Sequence, residues 1–215
     1  MKRYNLILFD LDGTTLDTDE MLVEALYKLY DLYRDGKRSP YEKVIYFSGP
    51  PMEDTLKNEF PLMDQEFMQK EFSRIFNGFY ETKMKEYPYC RETLIKLKEK
   101  RYKIGVVTNK NKEGTDKSLK VIGYDKLFDV IVSMSDVIHP KPHPEGILKA
   151  MEEMNEKENK KVLYVGDNAL DDMCAKKAHV DSMIVSWGPR KLPQDLKPTY
   201  FLDSYQNFLE VIEHE

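Results

Sequence analysis

The stretch Leu6-Ile7-Leu8-Phe9-Asp10-Leu11-Asp12-Gly13-Thr14 joins an unbroken apolar run to two carboxylates spaced two residues apart. An apolar run without polar alternation suits a strand covered on both faces, as in a parallel sheet. Carboxylates leaving the carboxyl end of such a strand stand where open α/β sheets place their ligands. Spacing of two directs both side chains to one face of an extended segment, and Gly13 lets the chain turn sharply after them. Without a cation between them, the two carboxylates would repel and raise one another's pKa. Mg²⁺ suits the place, being a hard ion bound by one or two carboxylates together with waters and phosphate oxygens. Asp and Gly are also ordinary turn residues, so this segment alone leaves a plain turn open.

Further apolar runs follow at Ile104–Val107, Val130–Val132, Val162–Val165 and Met183–Val185, with Tyr200–Leu202 as a short edge strand. Helical patterns over 91–100, 112–122, 144–154 and 169–178 alternate with them, which predicts a doubly wound α/β fold with a parallel sheet. One interval is too long. Asp10 to Thr108 spans 98 residues, whereas a strand–helix–strand unit needs roughly 30. The surplus reads as a small helical cap inserted after the first strand, over residues 17–83, on a core of 1–16 and 84–215. Leu22, Leu26, Leu29 and Tyr33 share one helical face, and Met68, Phe72, Ile75, Phe76 and Phe79 form a second stripe, both expected to be core. Ser39-Pro40-Tyr41-Glu42 fits a capping box with proline at the first helical position.

The other strands also end in polar groups. Thr108-Asn109 follows the second, and Lys141 stands in the proline-stiffened loop His139-Pro140-Lys141-Pro142-His143-Pro144. Asp167 follows the fourth within Gly166-Asp167-Asn168-Ala169-Leu170-Asp171-Asp172, with Asp171 one turn into the next helix, where an acidic residue also favours the macrodipole. His139 and His143 read as loop residues and not as zinc ligands, for no cysteine partners them at metal-site spacing.

Composition sets bounds on the rest. The 215 residues are 41% hydrophobic and 33% charged, with a net charge of −5. An acidic chain without a basic stripe is not expected to bind nucleic acid, and no apolar run approaches the ~20 residues of a membrane span. Cys90 and Cys174 are too few for a disulfide framework and read as reduced, packed thiols. These features suggest a cytoplasmic protein, a monomer or weak homodimer.

Taken together, Asp10-Leu11-Asp12-Gly13-Thr14, Thr108, Lys141 and Gly166-Asp167-Asn168-Ala169-Leu170-Asp171 resemble the four motifs of the haloacid dehalogenase-like superfamily, over essentially the whole chain. The resemblance implies a phosphoryl nucleophile at Asp10 and a general acid and base at Asp12. It implies Mg²⁺ on Asp10, the Asp12 backbone carbonyl and Asp167, with Asp171 behind them orienting Lys141 or a metal-bound water. Thr108, the Asn109 amide and Lys141 would hold the phosphoryl group of a small phosphorylated metabolite. A dehalogenase has no use for Asp12, because no alkoxide leaving group needs a proton; phosphate chemistry is therefore expected. Within the superfamily the layout is most similar to the phosphoglycolate phosphatase-like branch and its pyrophosphatase relatives. The β-phosphoglucomutase branch, a phosphomutase alternative, usually carries an acidic residue where Gly166 stands. Gly49-Pro50-Pro51 reads either as a helix connector or, as in relatives, as a rigid turn facing the active site.

Overall fold

The computed structural model describes residues 2–214. Among them, β1 (Leu6–Phe9), β4 (Lys103–Val107), β5 (Val130–Val132), β6 (Val162–Gly166), β7 (Asp181–Val185) and β8 (Tyr200–Leu202) form one parallel sheet in the order β5-β4-β1-β6-β7-β8. All four residues of β1 are buried because it is central. Ile7 and Phe9 pack on one side of the sheet with α6 (Cys90–Glu99), α7 (Lys112–Ile122) and α10 (Phe208–His214). Leu6 and Leu8 pack on the other with α8 (Glu145–Glu153) and α9 (Ala169–Lys177). Alternate side chains thus serve opposite faces, and each face is covered by helices.

This strand order positions the site. The chain runs outward from β1 through β4 to β5 and then returns to β6 on the other flank of β1. Strand order reverses there, and beyond the carboxyl ends of β1 and β6 a crevice opens that no crossover helix fills. Asp10 and Asp167 each follow one of those two strands directly.

Between β1 and β4 lie β2 (Leu16–Asp17), the helical cap and β3 (Lys85–Glu86), followed by α6. The two short strands pair antiparallel, so the chain enters and leaves the cap side by side. The cap contains α1 (Asp19–Tyr33), α2 (Tyr41–Val44), α3 (Met52–Glu59), α4 (Gln65–Asn77) and α5 (Tyr80–Lys83). Leu22, Leu26 and Leu29 of α1 and Met68 and Ile75 of α4 are buried as the helical period requires, and they join the same apolar cluster as β1.

One expectation for the cap is corrected. Ser39 makes no capping bond; its hydroxyl donates to Glu59 Oε2 at 2.8 Å. Glu59 has stronger claims on that hydroxyl, being a buried carboxylate that also accepts from Tyr30, from Arg34 at 2.9 Å and from Lys43 at 2.6 Å. The second aromatic stripe is core as expected, with Phe76 and Phe79 buried and Phe72 packed against the cluster; Phe72 and Phe76 also border a cavity between cap and sheet. Cys90 and Cys174 are free thiols, both buried.

Candidate active site

Asp10 leaves β1 with its main-chain N–H donating to the Val165 carbonyl at 2.8 Å, which stitches it to β6. Its carboxylate is buried and meets Lys141 Nζ at 2.8 Å. That same ammonium lies 2.7 Å from Asp171 Oδ1 and 3.0 Å from the Tyr164 hydroxyl. Burial works against the Lys141 charge, but Asp10 and Asp171 outweigh it and hold its pKa above the ordinary value. The Asn109 side chain fixes the loop that carries Lys141, accepting from Lys141 N at 2.8 Å and donating to Lys141 O at 3.1 Å.

Asp12 sits apart from this cluster and borders the cavity. Thr18 Oγ1 donates to its Oδ1 at 2.8 Å, and Lys110 Nζ reaches both oxygens, at 2.9 and 3.1 Å. Gly13 then turns the chain with φ 84°, in the left-handed region. It needs to be glycine for a second reason: a Cβ there would lie 2.5 Å from Asp167 Oδ2. Thr108 and Asn109 border the cavity beside Asp10.

Asp167 is buried at the end of β6. Arg190, from the loop after β7, donates through Nε to Asp167 Oδ2 at 2.8 Å. Its Nη2 lies 2.6 Å from the same oxygen, within ion-pair reach but outside hydrogen-bond geometry. Through Nη1 it holds Asp19 Oδ1 of α1 at 2.6 Å and the Ile45 carbonyl at 3.1 Å. One guanidinium thus ties a core carboxylate to two parts of the cap.

One oxygen each of Asp10, Asp167 and Asp171 lies within 4.8 Å of the others. Three buried carboxylates face two cations, Lys141 and Arg190. Burial pushes Asp10 up to about 7 despite Lys141, and Asp171 and Asp167 add to the rise. Burial likewise lifts Asp167 to about 6 despite Arg190. A site that strains to keep its carboxylates ionised, and whose donors are all oxygens, fits a hard divalent cation. Asp171 is already engaged on both oxygens, by Lys141 and by the main-chain N–H of Asn168 at 3.0 Å. Asp167 likewise accepts on both oxygens, Oδ2 from Arg190 and Oδ1 from Thr14 Oγ1 at 3.4 Å, whereas Asp10 is met by Lys141 on Oδ1. Gly166 makes room for this arrangement, since a Cβ on it would sit 2.3 Å from Asp171 Cγ.

The Gly49-Pro50-Pro51 turn faces the site, with Gly49 and Pro50 bordering the cavity. Asn109 Nδ2 donates to the Gly49 carbonyl at 2.9 Å and Asn168 Nδ2 to the Ser48 carbonyl at 3.3 Å, so two core residues hold the cap turn down. The cavity has a volume of about 190 Å³ and is partly open to solvent. His139 and His143 lie with ring centroids 4.8 Å apart, tilted 55° to one another, in the Lys141 loop and take no part in the carboxylate cluster.

The chain as a whole has counterparts among known proteins. The sequence family of haloacid dehalogenase-like hydrolases matches residues 7–185. The chain belongs to that family. It is 32% identical over 212 residues to pyrophosphatase PpaX of Bacillus mycoides (strain KBAB4), covering 98% of this chain and 97% of the relative. It is 33% identical over 216 residues to pyrophosphatase PpaX of Bacillus cereus (strain Q1), covering 98% and 97%. The crystal structure of a predicted phosphoglycolate phosphatase from Haemophilus somnus 129pt superposes with a TM-score of 0.84 over 98% of this chain and 99% of that one, at 22% identity, a likeness of fold. As a haloacid dehalogenase-like hydrolase with phosphatase relatives, the protein is a phosphatase. No helix among the described residues is long and apolar enough to cross a membrane.

Sequence reasoning passed over Arg190, Lys110 and Tyr164. The first two follow the β7 and β4 edges and could have been sought there, since ligand-facing groups gather at those ends. Nothing in the sequence distinguishes Tyr164 from any other aromatic residue in a buried strand.

Proposed function

We propose that the protein is a Mg²⁺-dependent phosphatase acting on a small phosphorylated metabolite through a phosphorylated Asp10. The supporting observation is the convergence of Asp10, Asp167 and Lys141 in one buried cluster, with Asp12 bordering the adjoining cavity.

A carboxylate oxygen of Asp10 attacks phosphorus as the bond to the leaving oxygen breaks, and Asp12 gives that oxygen its proton. Asp12, now ionised, takes a proton from water. The resulting hydroxide displaces Asp10 from phosphorus, releasing inorganic phosphate and restoring both side chains. Mg²⁺ would be held by Asp10, the Asp12 main-chain carbonyl and Asp167, and would neutralise charge on the phosphoryl oxygens. The Thr108 hydroxyl and Lys141 hold the phosphoryl group. Because the Asn109 side chain is committed to Lys141 and Gly49, its contribution falls to the main-chain amide. Lys110 and Thr18 aim Asp12, and Asp171 aims Lys141.

Hydrolysis, and not transfer back to substrate, is favoured by Gly166, whose place beside Asp171 leaves no room for the acidic side chain of the mutase branch. The test is phosphate release from phosphorylated metabolites with Mg²⁺ and its loss in Asp10→Asn. Full activity in that variant refutes the reading.

A further inference from the structure

We propose that the substrate's leaving group is an uncharged alcohol with a flat heterocyclic or aromatic face, and not a second phosphate or a carboxylate. This rests on the phosphatase reading above and concerns the half of the cavity that the reacting phosphoryl group does not fill.

Two parallel rows of side chains run along the cap wall of that half. Gln69, Ser73 and Asn77 repeat every four residues on α4 and offer carboxamides and a hydroxyl. Beside them Phe72, Phe76 and Tyr80 repeat at the same spacing. Phe72 and Phe76 stack at 5.3 Å, and Tyr80 meets Phe76 edge-on at 5.7 Å, so the second row is an unbroken run of ring contacts. An aromatic wall flanked by neutral donors and acceptors suits a ligand that packs its plane against the rings and hydrogen-bonds with its edges.

The charges lining the cavity point the same way. Beyond Asp10 and Asp12 they are Glu53, Glu113 and Lys110, so the cap contributes a carboxylate to the wall and no cation. Lys110 is held on both oxygens of Asp12 and lies 5.0 Å from the centre of the Phe76 ring. The leaving half of pyrophosphate, or the carboxylate of phosphoglycolate, would enter this space with no free cation to meet it and with Glu53 and Glu113 opposing it. An uncharged alcohol meets neither cost.

The experiment compares kcat/KM of the full-length protein with Mg²⁺ on uridine 5′-monophosphate and pyridoxine 5′-phosphate against pyrophosphate and phosphoglycolate. The expected result is a preference of at least tenfold for the two heterocyclic esters. Phe76→Ala should reduce that preference about tenfold, and Phe72→Leu, a gentler change, should reduce it in the same direction. Glu53→Lys should raise kcat/KM on pyrophosphate. Equal or better turnover of pyrophosphate or phosphoglycolate by the unaltered protein overturns the assignment while leaving the phosphatase reading intact. No phosphate release from any of the four compounds, or full activity in Asp10→Asn, overturns both.

Discussion

Replacing Lys141 by methionine tests the electrostatic logic of the site most directly. The ammonium is buried, with its side chain 3% exposed, and lies 2.8 Å from Asp10, 2.7 Å from Asp171 and 3.0 Å from the Tyr164 hydroxyl. Methionine fills similar space, so packing changes little, but two buried carboxylates lose their shared cation. Removing one partner of a buried ion pair costs about 3–5 kcal/mol. For a chain of this length each kcal/mol lowers Tm by roughly 2–4 °C, which gives a fall of about 6–20 °C. The deficit must also depend on pH. Asp10 already stands at about 7 when folded, against an ordinary 3.8, with Lys141 pulling it down. Without Lys141 the folded value rises further, and each unit of added gap costs about 1.4 kcal/mol at pH values above it. Protonation relieves that cost, so the deficit is largest near pH 8 and shrinks as pH falls below 7. Thermal and urea unfolding followed by circular dichroism at pH 8 and pH 5.5, with chelator present, measure both arms. Stability within about 1 kcal/mol of the unaltered protein at pH 8, or a deficit that grows on acidification, refutes the reasoning.

The raised carboxyls also bear on metal binding. Because Asp10 stands at about 7 and Asp167 at about 6, a divalent cation must displace protons from them below those values. Calorimetry and thermal shift should therefore show Mg²⁺ binding more tightly, and stabilising more, at pH 8 than at pH 5.5; a pH-independent affinity counts against Asp10 and Asp167 as ligands. Gly166→Ala places a Cβ 2.3 Å from Asp171 Cγ. That overpacking should cost about 1–3 kcal/mol and, by dislodging Asp171 from Lys141, lower kcat at least tenfold; unchanged kcat contradicts the positioning role of Asp171. In the cap, burial opposes the Glu59 charge, but Lys43, Ser39 and Tyr30 hold its pKa down to about 2, below its ordinary 4.5. Its folded value is depressed, so its stabilisation is complete above about 4.5 and is lost as pH falls toward 2. The stability gap to Glu59→Gln, read from urea unfolding, should accordingly close across that window, and a gap that persists at pH 2.5 argues against the charged network.

Much of this molecule is written locally. The apolar runs over 6–9, 104–107, 130–132, 162–165 and 183–185 coincide with strands, and the helices between them fall within a residue of the amphipathic stretches, because burial on both faces and a 3.6-residue period leave marks in any short window. The short pair β2 and β3 left none, since two residues carry no period. Ser39 shows the same limit from the other side: its local sequence suits a cap, but Glu59, twenty residues on, competes for the hydroxyl and takes it.

The site divides along the same line. Asp10, Thr108 and Asp167 were legible because each directly follows a recognisable strand, and a parallel sheet carries all its carboxyl ends to one edge; Lys141 was legible because prolines bracket its loop. How these groups are paired was not legible. That Lys141 serves both Asp10 and Asp171, that Lys110 belongs to Asp12, and that Arg190 bridges Asp167 to Asp19 depends on side chains separated by 23 to 171 residues. The sequence determined which chemical groups arrive at the edge, because strand burial and turn chemistry act between near neighbours. Only the tertiary structure decided which charge faces which and what wall the cavity presents, because electrostatic pairing in a low-dielectric interior follows distance in space and not along the chain.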